Sequence, residues 1–131
     1  MIGLKRGTVK LFDHEKEWEF EAQRTILRLH KILGTVARDI QHVVGSTSTS
    51  ILTIKAKPII DIVVAVDNFK DVLALELKND GFYYCPNVHL KDQLLFACGS
   101  YYDGTGDLQT HFIRLFLLYI QFIISIRKIK G

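Results

Sequence analysis

Three features of this 131-residue chain carry groups that phosphate or metal chemistry needs. Gly45-Ser46-Thr47-Ser48 opens a stretch rich in small hydroxyl residues. Glycine there lets the backbone approach a ligand closely, and the amides and hydroxyls that follow can donate to phosphate oxygens. Most such loops are only polar turns. Asp61 sits inside the apolar run from Pro58 to Val66. A carboxylate in such a run is costly unless it is paired or holds a metal, and the plain alternative is an ion pair to Lys55 or Lys57. His42 precedes the Gly-Ser pair, and Thr110-His111 lies on a late apolar segment. Either histidine serves as readily as a satisfied structural residue. His14, His30 and His89 show no partner pattern.

These groups need elements to position them. Trp18, Ala22, Ile26, Leu29 and Leu33 recur at helical spacing and predict an amphipathic helix over 13–34, with Asp13 as N-cap and Gly34 as the left-handed end. Its glutamates crowd the start and its basic residues the end, as the helix dipole favours, so the charge run reads as a solvated face. Residues 38–44 read as a strand, 45–57 as a loop, and 58–66 as a buried, β-branched strand. Alternation puts Asp61, Val63 and Ala65 on one face of that strand and Ile60, Ile62 and Val64 on the other. A second helix runs from an Asn68 cap to Asp80, with Phe69, Val72, Leu73 and Leu77 inward and Gly81 ending it. Strands follow at 82–85, 92–99 and 108–116. The order predicts a single α+β domain built on one mixed sheet with flanking helices.

Composition narrows the function classes. With 48% apolar and 24% charged residues, the chain is not disordered, collagen-like or a disulfide-stapled miniprotein. The formal net charge of +3 is unevenly spread: residues 1–107 hold 13 basic residues against 14 acids, and the rest hold four basic residues and no acid. The body therefore offers no electrostatic footprint for nucleic acid. Cys85 and Cys98, without metal-ligand spacing, read as free thiols of a reducing compartment. The start of the chain has no apolar signal segment, which points to the cytoplasm. The apolar run Leu115–Ile126 is 12 residues, against roughly 20 for a membrane-spanning helix.

The residues carry a resemblance as well. His42–Ser48 (HVVGSTS) followed by Ala56-Lys57-Pro58-Ile59-Ile60-Asp61-Ile62 resembles the signature of the bacterial GrpB family. Phe12-Asp13 with Trp18, Gly81-Phe82 and Thr110-His111 fall where that pattern has its opening segment, its Gly-aromatic step and its Thr-His strand. The similarity covers residues 8–113. It implies a fold similar to the nucleotidyltransferases of the DNA polymerase β superfamily, and a nucleotide or phosphorylated small molecule as ligand. By that likeness Gly45, Ser46, Thr47 and Ser48 form the phosphate clamp, with His42, Lys57 and His111 beside the ligand. Asp61 is the catalytic and metal-binding carboxylate for Mg²⁺, and Asp92 is the candidate for a second acid on a neighbouring strand. The resemblance also supports another reading, since related domains are labelled dephospho-CoA kinase/protein folding accessory domains: a non-catalytic interaction module, or an inactive relative.

The chain departs from the family pattern at several points. Val44 is an extra residue before Gly45, the usual Pro-Gly after the loop is replaced within TSILTIK, and Val63 takes the i+2 position where an active transferase has its second acid. Arg114 stands where a further histidine belongs. Residues 114–131 read as an atypical hydrophobic, basic tail, the mark of a frameshifted or truncated C-terminus. Apolar surface left uncovered there predicts homo-oligomerisation.

Overall fold

The computed structural model describes residues 1–8, 10–43, 55–86 and 92–118. Its framework is a five-stranded sheet in the order β3-β5-β9-β7-β6. The strands are β3 (Ala37–His42), β5 (Ile60–Val66), β6 (Tyr83–Tyr84), β7 (Gln93–Cys98) and β9 (His111–Leu117). Only β5 and β9 run parallel within it, so the sheet is mixed, as expected. Two small antiparallel pairs flank it. β1 (Leu4–Lys5) pairs with β8 (Leu108–Gln109), and β2 (Phe12–Asp13) pairs with β4 (Lys55–Ala56).

Helix α1 (Lys16–Leu33) covers one sheet face, burying Trp18, Ala22, Thr25, Leu29 and Leu33. Those side chains join Ile40, Ile60, Ile62, Val64, Val66, Ile113 and Leu115 in one core. The helix starts later than the sequence suggests. Asp13 belongs to β2, and Glu15 occupies the cap position without a side-chain cap bond. The chain entering α1 is held instead by Trp18, whose indole donates to the Met1 carbonyl at 2.8 Å. Ile26 packs against this core while only partly buried, and Thr25 joins the buried stripe with its hydroxyl donating to the Glu21 carbonyl at 2.8 Å.

The second predicted helix is two pieces. α2 spans only Phe69–Leu73, capped by Asn68 as expected, and a 3-10 turn covers Leu77–Asp80. Val72 and Leu77 are both buried. In one straight helix, residues five apart point about 140° from each other, so the break lets both reach the core and leaves Leu73 exposed. The last predicted strand is also divided: β8 and β9 part at Thr110, and β9 runs one residue past the predicted end, to Leu117. A short helix, α3 (Ser100–Asp103), follows β7.

Candidate functional site

One end of the sheet gathers most of the candidate residues. β3 finishes there at His42, β5 and β9 begin there, and β7 ends there at Cys98. Lys57 and Thr110 lead into β5 and β9 at that end, and the segment bearing Gly45, Ser46, Thr47 and Ser48 follows β3. Those four residues lie outside the described residues.

The two faces divide the rest. His42 is opposite Ile62 and His111 opposite Ile60, so both histidines lie on the α1 face. Asp61 points the other way. On its face the register sets Val63 between Gln41 of β3 and Arg114 of β9. Arg114 reaches diagonally back, its Nε donating to Asp61 Oδ1 at 3.2 Å. Both side chains keep access to solvent, 34% for Asp61 and 41% for Arg114. The ion partner of Asp61 is therefore Arg114 and not Lys57, which is exposed.

Asp92 does not join Asp61. Gln93, next to it, pairs with Phe116, four residues along β9 from Phe112, the partner of Asp61. At about 3.3 Å per residue that is roughly 13 Å along the strand, with β9 between them. The antiparallel direction of β7 puts Asp92 at the far end of the sheet, where its φ of 61° marks a tight turn.

Among the described residues, the donors beside Asp61 do not make up the ligand set of a divalent cation. Mg²⁺ calls for several hard oxygen ligands in a near-octahedral set. Val63 offers none, one Asp61 oxygen already accepts from a guanidinium, and that guanidinium repels a second positive charge at the same place. Among the described residues no group of three or more His, Cys, Asp or Glu side chains is arranged to hold a metal.

On the α1 face, His111 is fully engaged by the protein itself. Its Nε2 is 3.0 Å from Glu21 Oε2 and its Nδ1 is 2.7 Å from Thr110 Oγ1. Burial holds its pKa below the ordinary value, against the opposing pull of the Glu21 carboxylate. The neutral ring then donates from Nε2 to Glu21 and accepts the Thr110 hydroxyl at Nδ1, so this contact is a hydrogen bond rather than an ion pair. Glu21 is fixed in turn by Arg24 at 2.7 Å. His42 lines an open cleft of about 610 Å³ between α1 and β3, with Lys16, Glu19, Phe20, Gln23 and Ile26. Burial lowers its pKa too, with Glu19 acting the other way. Cys85 and Cys98 are both free, and burial pushes the Cys98 thiol up to about 12, which leaves it unreactive.

Sequence reasoning passed over Arg114 and Glu21 as members of these sites. A signal existed for Arg114, a lone charge inside the apolar strand FIRLF. None existed for Glu21, one of four glutamates spaced two apart on a helix that otherwise reads as solvated.

The sheet order and the flanking helix define an α+β protein built on one mixed sheet. The chain belongs to the GrpB family, whose model, described as GrpB protein, matches residues 8–118. It is 33% identical over 120 residues to the glutamate-rich protein GrpB of Alkalihalophilus pseudofirmus, a match covering 88% of this chain and 65% of that protein. The crystal structure of the conserved protein GrpB from Enterococcus faecalis has a similar fold, with a TM-score of 0.67 and 23% identity over 83% of this chain and 62% of that one. The chain thus spans just under two thirds of the length of these relatives. Among the described residues, no helix is long and apolar enough to cross a membrane.

Proposed function

We propose that the chain binds a nucleotide or another phosphorylated small molecule at the sheet end where β3 finishes and β5 begins. The observation that carries this reading is the convergence there of Asp61, Lys57 and Arg114 with the end of β3, from which the Gly45–Ser48 segment departs. Gly45, Ser46, Thr47 and Ser48 supply amide and hydroxyl donors for phosphate oxygens in this reading. Lys57 adds a mobile positive charge. Transferase activity is weak or lost, because Val63 replaces the second acid and Arg114 engages the first. That same replacement favours, as a second reading, a non-catalytic accessory domain serving a partner protein. The near-neutral body gives nucleic acid no role, and a cytoplasmic bacterial setting with self-association through the apolar C-terminal segment completes the proposal.

A thermal-shift screen of nucleotides and CoA precursors tests it, since a ligand that binds only the folded state raises its midpoint. The expected result is stabilisation by a nucleotide that disappears in Ser46→Ala. A folded protein that responds to nothing across the panel contradicts the nucleotide reading and favours the accessory one.

A further inference from the structure

Resting on that reading of the site, we infer that Arg114 is a built-in replacement for the divalent cation: the Asp61 site takes a phosphate group directly on a guanidinium and works without metal. The register is the first support. Arg114 is the cross-strand neighbour of Val63, the position where a metal site of this kind would need its second carboxylate, so a positive side chain lies beside the place a ligand acid has vacated. Its direction is the second. The side chain turns back to Asp61 and engages it through Nε at 3.2 Å, which neutralises the carboxylate that a cation would otherwise neutralise.

The third support is what that contact leaves over. A guanidinium has five N–H donors in a fixed fork, and Nε contributes one of them. The pair is only partly buried, with the Arg114 side chain 41% exposed, and its contact with Asp61 runs through Nε. A fork of this shape matches two oxygens of one phosphate group, and the ionised partner shortens and strengthens those bonds. Asp61 then orients the guanidinium and does not touch the ligand. It is a positioning residue in this site rather than a metal ligand. The chemistry recognised is a terminal phosphate or diphosphate, free or on a nucleoside.

The test separates this claim from the proposal beneath it by reading the cation alone. Mn²⁺ binding, followed by electron paramagnetic resonance without nucleotide, is compared in the unaltered protein, Asp61→Asn, Arg114→Gln and the double variant, with folding checked by circular dichroism. The expected result is no Asp61-dependent Mn²⁺ binding in the unaltered protein, where the guanidinium repels the cation, and loss in the double variant of any weak binding that Arg114→Gln shows. In parallel, ATP affinity measured calorimetrically is the same in EDTA as in Mg²⁺ and falls by about tenfold in Arg114→Gln. Mn²⁺ binding by the unaltered protein that Asp61→Asn abolishes overturns the inference. So does ATP binding that requires Mg²⁺, or a folded Arg114→Gln that binds ATP as tightly as the unaltered protein. If Arg114→Gln fails to fold, the unaltered protein against Asp61→Asn still decides. Absence of ATP binding defeats the ligand reading and with it the phosphate half of the inference, while the Mn²⁺ comparison still decides whether Arg114 excludes the cation.

Discussion

His111 is held between a hydroxyl and a carboxylate, with both ring nitrogens engaged, and this arrangement joins the start of β9 to the middle of α1. Burial favours its neutral form, and Glu21 works against that preference. A ¹H–¹⁵N titration of the imidazoles therefore places His111 below the ordinary histidine value of 6.5, and Glu21→Gln lowers it further because the opposing charge is gone. A rise in Glu21→Gln contradicts this account. The sign carries over to stability. A histidine whose pKa is depressed on folding takes up more protons when unfolded, so its contribution is complete above the unfolded value and declines as pH falls below it. With His42 shifted the same way, also by burial, urea midpoints should fall as pH drops below about 6.5, and less steeply in a folded His111→Gln variant.

At the scale of elements, the connections decide how well the strands are held. Gly99 ends β7 with φ of 130°, and a Cβ there would overlap the Leu108 carbonyl oxygen. Backbone strain and steric overlap act together, so Gly99→Ala should cost about 3 kcal/mol in a denaturant titration. A cost near zero would mean that β7, α3 and β8 are not joined as described. Sequence periodicity found α1, β3, β5, β7 and the Asn68 cap because each is specified by neighbouring residues. It did not find β1, β2 and β4, whose two-residue ladders are too short to show alternation. Nor did it find the break after Leu73, which arises from the need to bury Val72 and Leu77 together. Strand partners are chosen at long range, so the parallel pairing of β5 with β9 left no local mark.

For the whole molecule, that pairing is what shapes the candidate site. The loop sequence, the Asp61 strand and the Thr-His step were all legible as residues. Alternation also set Asp61 apart from Ile60, Ile62 and Val64, but the face taken by His42 and His111 was not legible. The register separates His42 and His111 from Asp61, removes Asp92 to the far end of the sheet, and puts Arg114 beside the one acid that remains. The positive surplus of the chain, +3 overall, thus includes one charge with a defined position in the site. A ¹⁵N chemical-shift map on addition of ATP in EDTA tests the central claim most directly. The account predicts saturable shifts concentrated at 45–48, Lys57, Asp61 and Arg114. An unperturbed spectrum contradicts it, and so do shifts confined to the aromatic groove formed by Phe82, Tyr83, Tyr84, Phe96 and Tyr102 at the opposite sheet edge.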